Sequence, residues 1–328
     1  MVVGLLVDEL TQLSAWRYHL RMTEQSVGVV GVGRLGSDVA FTLAERDLCD
    51  LVLFDIDCDK AEYLASDLTD TSFGHVYNRR VSFVSEAREL ASCGVILVAA
   101  GARRDAGTPA NELFERNLAI IDEMAEAFVG SSNLFVVATE PVDLMTEALA
   151  KALNLPPSRV MGIGGVVDSY RARHALGDSL AVNPDYIRTH VIGPHDQEAS
   201  IIWDYTSING VPVGAVASAD TMAGVTKTFA ADAEARLSQM SEAFSRYTPS
   251  MACLELLRSL VKDDRRVLSV TMPWKGINGI SNVAMSIPAV IGRFGAERPV
   301  PPDLDKPALE KLKGSASRLA TALQGGAR

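Results

Sequence analysis

The most specific chemical pattern in this sequence is a glycine-rich segment that follows a short run of apolar, β-forming residues. It reads Gly31-Val32-Gly33-Arg34-Leu35-Gly36 and opens a stretch with helical periodicity. In a GxGxxG segment between a strand and a helix, the first glycine permits a tight turn and the second lets the backbone approach a pyrophosphate. The third glycine lets helix and strand pack closely. The N–H groups at the helix start, including those of Arg34 and Leu35, would face the phosphates, so the segment predicts a dinucleotide site.

A carboxylate at the end of the next apolar run indicates which dinucleotide is bound. Asp55 follows Leu51 to Phe54, where it can accept hydrogen bonds from the hydroxyls of the adenosine ribose. It would repel a 2′-phosphate, so we predict NAD rather than NADP. Asp57 and Asp59 lie close by and leave the register open by one turn. The alternative, that the glycines serve only a tight turn, is disfavoured by the complete strand–turn–helix context.

The elements that must position these residues form an alternating series. Six apolar runs separated by helical stretches predict βαβ units on a parallel sheet, with helices on both faces. The predicted strands cover residues 27–30, 51–56, 81–84, 95–99, 134–138 and 159–163. We therefore predict an α/β chain whose first part, residues 26–164, is a Rossmann domain with a doubly wound parallel sheet.

After Gly165 the pattern changes, and an α+β substrate domain is predicted over residues 165–328. Its predicted helices cover residues 166–176, 218–246, 251–262 and 306–323, and its strands lie near 187–192, 201–206, 267–272 and 283–287. Residues 1–25 precede these patterns. Leucines at positions 6, 10, 13 and 20 would share one helix face, so this segment is either an arm that packs on a partner subunit or a frayed extension.

Composition limits the partners. A formal net charge of -10 at pH 7 over 328 residues leaves no broad basic surface for nucleic acid or anionic membranes, so we expect a small-molecule ligand. The four cysteines form no CxxC pair, which favours a reducing, cytoplasmic location over a disulfide framework. No run of residues is apolar over the length of a membrane span, no signal peptide is recognised and no metal site is predicted.

Several segments, in order, resemble the lactate/malate dehydrogenase family from about residue 26 to residue 325. They are Gly31 to Gly36, Leu53-Phe54-Asp55-Ile56, Ala100-Gly101-Ala102-Arg103, Glu115-Arg116-Asn117, Pro141-Val142-Asp143, Asp168-Ser169-Tyr170-Arg171, Gly193-Pro194-His195 and Lys275-Gly276-Ile277-Asn278-Gly279-Ile280. The resemblance implies hydride transfer between NAD and a small 2-hydroxy or 2-oxo acid. It also implies a homodimer or homotetramer.

The resemblance assigns roles to individual residues. His195 would exchange a proton with the substrate oxygen while Asp168 holds its imidazole, and a carboxylate beside histidine favours the protonated ring. Arg171, three residues after Asp168, has the planar fork that suits a substrate carboxylate; a surface ion pair with Asp168 is the alternative. Arg104 stands where the family separates malate from lactate and implies a second anionic group on the substrate.

The remaining assignments from the resemblance concern the cofactor. Arg103 matches a residue that contacts the pyrophosphate, and Ile56 and Gly101 belong to the cofactor-binding segments. For Arg103, as for Arg104, the alternative is a solvated charge on an exposed loop.

The sequence departs from the family at the reacting oxygen. Where the family carries an arginine that polarises the carbonyl, the aligned residue is Ala110, and where it carries an asparagine that helps hold the oxygen, the residue is Glu140. Removing one preorganised oxyanion donor typically costs about 3 to 4 kcal/mol of transition-state stabilisation. After His195 the family reads Gly-Asp-Ser, whereas this chain reads Asp196-Gln197-Glu198, and we expect these acids to lie near the same pocket.

Three hypotheses follow from the departures. The first is an NAD-dependent 2-hydroxy acid dehydrogenase with a non-standard substrate, in which a shifted loop arginine or a group on the substrate replaces the lost clamp. The second is hydride transfer at a C=N bond or beside an amino group, where Glu140 would stabilise a cation. The third is a catalytically silent NAD-binding member of the family. The combination of His195, Asp168 and Arg171 counts against the third hypothesis.

Overall fold

A computed structural model describes residues 26–72, 78–102, 110–239 and 246–325 of the chain. The segment over residues 1–25 lies outside these ranges, as do Arg103 and Arg104, so the predictions made for them stay predictions. Ala110 is described as the first residue of a helix.

The first part of the chain forms six parallel strands. They are β1 (Val27–Val30), β2 (Leu51–Phe54), β3 (Val81–Phe83), β4 (Val95–Val98), β5 (Leu134–Val137) and β6 (Val160–Gly162). Their spatial order is β3-β2-β1-β4-β5-β6, which confirms the predicted doubly wound Rossmann arrangement. Every residue of β1, β4 and β5 is buried, because helices cover both faces of the sheet. β1 and β4 pair in parallel at the point where the order of strands across the sheet reverses, so the carboxyl ends of these two strands lie side by side.

Four helices connect these strands: α1 (Arg34–Glu45), α2 (Cys58–Thr71), α3 (Ala110–Ala127) and α4 (Val142–Ala152). α1 begins directly after Gly33, and its buried residues Gly36, Val39, Ala40 and Leu43 recur at helical spacing along one face. α4 is buried from its first residue to Ala150, because α3, β12 and β13 all pack against it.

The second part of the chain adds four helices and eight strands among the described residues. The helices are α5 (Gly164–Leu180), α6 (Ala219–Gln239), α7 (Tyr247–Lys262) and α8 (Lys306–Gly325). The strands are β7 (Ile187–Arg188), β8 (Val191–Ile192), β9 (Ser200–Ile201), β10 (Ser207–Ile208), β11 (Val211–Pro212), β12 (Arg266–Ile277), β13 (Ile280–Gly292) and β14 (Gly295–Pro299). Within the described ranges, no helix has the length and apolar character needed to cross a membrane.

The two parts share one sheet. β12 pairs antiparallel with β6 where Thr271 lies opposite Gly162, so β12, β13 and β14 extend the parallel strands into a nine-stranded sheet. One cluster of buried apolar residues continues from β1 and α1 to β12, β13 and α8. The dinucleotide-binding part and the second part are therefore joined by backbone pairing as well as by packing.

Most differences from the predicted elements lie in the second part. Residues 203–205 form a 3₁₀ turn between β9 and β10 rather than the middle of one strand, and β14 was not predicted. β12 and β13 extend well beyond the predicted pair, because Asn278 and Gly279 both have positive φ (50° and 77°) and close a tight hairpin. An Asn-Gly pair between apolar runs is a hairpin signal that the sequence already carried.

The glycine turn offers a test of the fold with a built-in control. A Cβ on Gly36 would lie 2.0 Å from the carbonyl oxygen of Gly31, whereas a Cβ on Gly33 would meet no atom within 4 Å. Gly36→Ala should therefore lower the free energy of unfolding by about 1 to 3 kcal/mol, the usual cost of overpacking, while Gly33→Ala leaves it nearly unchanged. Urea denaturation of the two variants without cofactor measures this, and equal midpoints for both would contradict it.

Candidate active site

The glycine turn at the end of β1 has the geometry that its sequence predicts. Gly31 has a φ of +89°, and a Cβ there would lie 2.5 Å from the backbone nitrogen of Ala100 at the end of β4. The backbone at Gly33 is open on its outer side. The start of α1 can therefore be approached by a phosphate group without displacing a side chain.

A cleft of about 510 Å³ lies beside this turn, over the carboxyl ends of β1, β2 and β4. Its lining includes Gly31, Gly33, Asp55, Ile56, Lys60, Gly101, Ile120 and Met124. The size, the apolar walls and the carboxylate of Asp55 at the end of β2 fit an adenosine group, and the open turn fits a pyrophosphate. The residues present thus fit the NAD that the sequence predicts.

Asp55 is fixed by backbone hydrogen bonds. Its Oδ2 accepts the N–H of Val32 at 2.8 Å and its Oδ1 accepts the N–H of Asp57 at 3.1 Å. The ammonium group of Lys60 lies 3.6 Å from Oδ2, a contact that the sequence analysis did not predict. The sequence did carry a signal for this contact. Asp57 caps α2, and Lys60 follows three positions later in the first turn of that helix.

The second group of predicted residues lies around His195. Nδ1 of His195 is 2.7 Å from Oδ2 of Asp168 on α5, and the side chains are only 12% and 4% exposed. The ring packs against the start of α5, because a Cβ on Gly164 would lie 2.9 Å from Cβ of His195. Two residues that are 27 positions apart therefore form a buried hydrogen-bonded pair.

Arg171 lies on the same face of α5 as Asp168. Its Nη1 is 3.3 Å from Oδ1 of Asp168, and its side chain is 19% exposed. The ion pair that was the alternative interpretation is therefore present, but it is largely buried and shares its carboxylate with His195. Asp168 thus holds the imidazole with one oxygen and the guanidinium with the other.

Asp143 is a buried carboxylate that the sequence analysis left without a role, and it binds the backbone of His195. Oδ2 of Asp143, at the start of α4, accepts the backbone N–H of His195 at 2.6 Å, and Oδ1 accepts the hydroxyl of Thr271 at 3.0 Å. Burial raises the pKa of Asp143 to about 7. Its position two residues after Pro141, in the segment that follows the buried strand β5, was the available sequence signal.

Glu140 lies on the opposite side of the imidazole from Asp168. Its Oε1 is 3.8 Å from Nε2 of His195, its Oε2 accepts the N–H of Val142 at 3.2 Å, and its side chain is 37% exposed. The carboxylate thus stands beside the ring nitrogen that Asp168 does not bind. The peptide bond between Glu140 and Pro141 is cis.

Asn117 connects this region to the cofactor cleft. Its Oδ1 accepts the N–H of Ala102 at 2.6 Å, and its Nδ2 donates to the carbonyl of Glu140 at 2.5 Å. It is 2% exposed and interrupts the apolar face of α3 formed by Leu113, Phe114, Ile121 and Met124. A buried amide in an otherwise apolar helix face was the sequence signal for this bridge.

The charges around His195 decide its protonation. Burial acts to lower the pKa of the imidazole, but the charge and hydrogen bond of Asp168, with the charges of Glu140 and Asp143, raise it to about 9. The ring is therefore protonated at neutral pH. It can donate from Nδ1 to Asp168 while Nε2 presents a second proton toward Glu140 and the adjoining space.

The acidic residues after His195 pair with a cation that the sequence analysis did not predict. Oδ2 of Asp196 is 2.6 Å and Oε2 of Glu198 is 2.5 Å from the guanidinium of Arg318 on α8. They are paired with a cation from the C-terminal helix rather than directed at the imidazole. The charge of Asp196 nevertheless raises the pKa of Asp143, so the expected acid lies near the pocket, but the sequence could not show that a helix cation pairs with it.

Family models and known proteins agree with this geometry. Residues 25–162 match the NAD-binding domain of lactate/malate dehydrogenase, and residues 166–328 match the α/β C-terminal domain of the same family. The malate dehydrogenase of Chlorobium luteolum is 28% identical over 294 residues, which cover 89% of this chain and 95% of that protein. The L-lactate dehydrogenase of a Synechococcus species is 30% identical over 300 residues, which cover 88% and 95%.

Solved structures share the fold. The malate dehydrogenase of Aeropyrum pernix superposes with a TM-score of 0.84 at 24% identity, covering 91% of this chain and 97% of that one. The lactate dehydrogenase of Cryptosporidium parvum, in complex with lactic acid and nicotinamide adenine dinucleotide, gives a TM-score of 0.85 at 21% identity and covers 93% and 98%. With both family domains matched in order over nearly the whole chain, this protein belongs to the lactate/malate dehydrogenase family and is an NAD-dependent dehydrogenase.

Proposed function

We propose that this dehydrogenase interconverts a 2-hydroxy acid and a 2-oxo acid other than lactate or malate. The observation that carries the proposal is the carboxylate of Glu140, 3.8 Å from Nε2 of His195. A carboxylate there repels negative charge on the substrate oxygen and attracts a cationic or hydrogen-bond-donating group. We therefore expect a 2-oxo acid that carries such a group beside its carbonyl, in place of the arginine that Ala110 has replaced. The identity of Arg104 supports a second anionic group farther along the substrate.

The side chains around the reacting carbon have separate roles in this proposal. Bound NADH supplies the hydride that reduces the carbonyl carbon. His195 gives the proton on Nε2 to the carbonyl oxygen, so that the alcohol forms without a free alkoxide. Asp168 keeps the ring in the orientation that points Nε2 at the substrate, as its 2.7 Å hydrogen bond to Nδ1 supports. Arg171 holds the substrate carboxylate with its planar fork.

The proposed cofactor contacts follow the cleft and the glycine turn. Backbone groups of Gly33, Arg34 and Leu35 would hold the pyrophosphate, while Gly31 and Gly36 allow the turn to form. Asp55 would bind the ribose hydroxyls, Ile56 and Gly101 would line the rest of the cofactor site, and the resemblance implies that Arg103 would contact the pyrophosphate. Support comes from the lining of the cleft for Gly31, Gly33, Asp55, Ile56 and Gly101, and from the resemblance for the others.

We extend the proposal to assembly and location on sequence grounds alone. The family resemblance supports a homodimer or homotetramer. The sparse cysteines, with no CxxC pair, support a cytoplasmic enzyme.

A second candidate function is favoured by the same carboxylate. Hydride transfer to a C=N bond passes through a cationic iminium group, which Glu140 would stabilise rather than repel. In this case the positive charge of His195 would attract the substrate carboxylate, and His195 would not protonate an oxygen.

The first test is an NADH-oxidation screen with 2-oxo acids, amino-substituted 2-oxo acids, dicarboxylates and cyclic imines. We expect oxidation with at least one 2-oxo acid, and a loss of about 10²- to 10⁴-fold in His195→Ala, the usual contribution of general acid catalysis. His174→Ala is the matched control, because that ring is 74% exposed. Activity that survives in His195→Ala would contradict the role of His195, and no activity with any compound would favour the silent hypothesis.

The pH dependence tests the protonation state of the imidazole. Because reduction needs the protonated ring, kcat/KM for the 2-oxo acid should be constant at neutral pH and fall as the pH rises through about 9. Oxidation of the alcohol should show the opposite trend. Asp168→Asn should move the break to lower pH, since burial then acts with less opposition, while Asp178→Asn, 72% exposed on the same helix, should not. An unmoved break in Asp168→Asn would refute the assignment.

Replacing Glu140 tests the charge role on which both candidate functions depend. Glu140→Gln keeps the shape and removes the charge, so an imine-reducing enzyme should lose at least about tenfold in rate, and an unchanged rate would exclude a charge role. The double variant Ala110→Arg with Glu140→Asn restores the two donors of the family, and we expect it to gain reduction of oxaloacetate. If it reduces no oxaloacetate, these two positions alone did not redirect the chemistry.

A further inference from the structure

The turn that carries His195 is covered by one face of the C-terminal helix α8. Lys311, Leu312, Ser315 and Arg318 recur at helical spacing and therefore share a side of this helix. Leu312 is buried, and its Cδ2 would lie 3.2 Å from a Cβ on Gly193, two residues before His195. The ammonium of Lys311 donates to the hydroxyl of Ser200 at 3.1 Å. α8 thus contacts the turn before and after the histidine.

Arg318 on α8 pairs with both carboxylates of the turn that follows His195. One guanidinium nitrogen lies 2.6 Å from Oδ2 of Asp196 and the other lies 2.5 Å from Oε2 of Glu198. The hydroxyl of Ser315 donates to the same oxygen of Glu198 at 2.5 Å. Within the turn, Oδ1 of Asp196 accepts the N–H of Glu198 at 2.7 Å. A single planar fork therefore binds both carboxylates of the segment that follows His195.

The two sides of His195 are held by different parts of the chain. Its own N–H is bound by the buried carboxylate of Asp143 at 2.6 Å, while the next residue, Asp196, is bound by Arg318. Asp143 and Arg318 thus fix the backbone on either side of the histidine, and this backbone sets where Nε2 points. A shift of Asp196 would change the direction of Nε2, while the 2.7 Å hydrogen bond between Nδ1 and Asp168 is kept.

The net charge near His195, as well as the geometry of its turn, depends on the contact between Arg318 and the two carboxylates. The groups that face His195 are Asp168 with Arg171 on α5, Glu140 before α4, and Asp143 on α4. Asp196 lies on its own turn. Asp196 and Glu198 would add two negative charges within three residues of the ring, and Asp196 already raises the pKa of Asp143. Arg318 and Lys311 on α8 oppose them, and hydrogen bonding by Arg318 holds the pKa of the Glu198 carboxyl below its usual range.

We propose that Arg318 is a positioning residue for proton transfer, which holds the Asp196–Glu198 turn so that Nε2 of His195 faces the substrate and which offsets the turn's negative charge. The proposal rests on the role of His195 proposed above. It assigns to the C-terminal helix a part in the chemistry of a site formed by other segments.

The test is an NMR titration of the ring signals in protein labelled with ¹³C,¹⁵N-histidine. The chain has five histidines, and the signal of His195 is identified by its absence in His195→Gln. In Arg318→Gln the midpoint of this signal should move to higher pH, because the two carboxylates lose their cation. In the double variant Asp196→Asn with Glu198→Gln it should move to lower pH, because Arg318 is then uncompensated. Lys313→Gln, which removes from α8 a charge that lies 3.1 Å from Glu310 on the same helix, should leave it in place.

Opposite shifts separate this role from a merely structural one. Midpoints that stay at the wild-type value in both variants, or that move in the same direction, would overturn the proposal. If Arg318→Gln does not fold, the double variant decides alone: a lower midpoint supports the proposal and an unchanged one refutes it. Because the titration needs no substrate, its outcome is independent of whether the proposed substrate class is correct.

Kinetics give a second readout with the 2-oxo acid that the screen identifies. Arg318→Gln should lower kcat by about tenfold or more, as expected for a misplaced acid, with KM changed by less than about threefold. Arg318→Lys should restore the NMR midpoint because it keeps the charge, but only part of kcat because it lacks the fork. If Arg318→Lys shifts the NMR midpoint and lowers kcat as much as Arg318→Gln does, charge and geometry do not act separately.

Discussion

The hydrogen bonds of one buried carboxylate, Asp143, are the contacts on which the candidate active site depends. This side chain begins α4 in the first part of the chain, binds the backbone of His195 at 2.6 Å and receives the hydroxyl of Thr271 from β12. It therefore joins the dinucleotide-binding part, the histidine turn and the antiparallel extension of the sheet. Burying a carboxylate costs free energy unless it is paired or hydrogen-bonded. The hydrogen bonds of Asp143 therefore hold these three segments together.

The charge pattern around His195 differs from the one that the family resemblance implies. The imidazole lies between Asp168 on one nitrogen and Glu140 near the other, an arrangement that favours the protonated ring and disfavours negative charge on a substrate oxygen. Both effects have the same electrostatic origin, because neighbouring carboxylates stabilise cations and repel anions. His195 can thus still donate a proton, while the charge around the substrate oxygen that receives this proton is different.

Much of the fold could be predicted from local patterns. Each of the six parallel strands of the first part begins within a residue of its predicted position, because a strand buried on both faces must be a continuous apolar run. The short strands after α5 were less predictable, since segments of two residues such as β9 and β10 carry no periodicity. The long hairpin of β12 and β13 was underestimated, although the Asn278-Gly279 pair that closes it was a signal in the sequence.

The sequence by itself determined the glycine turn and the carboxylate after β2, because these depend on residue type and on short spacings along the chain, and the family resemblance supplied the pairing of His195 with Asp168. Only the tertiary structure decided which groups meet across long separations. It placed Glu140 beside His195, Asn117 between Ala102 and Glu140, and Arg318 on Asp196 and Glu198. The physical reason is that such contacts are set by the packing of whole helices and strands, whose relative positions no local pattern of side chains encodes.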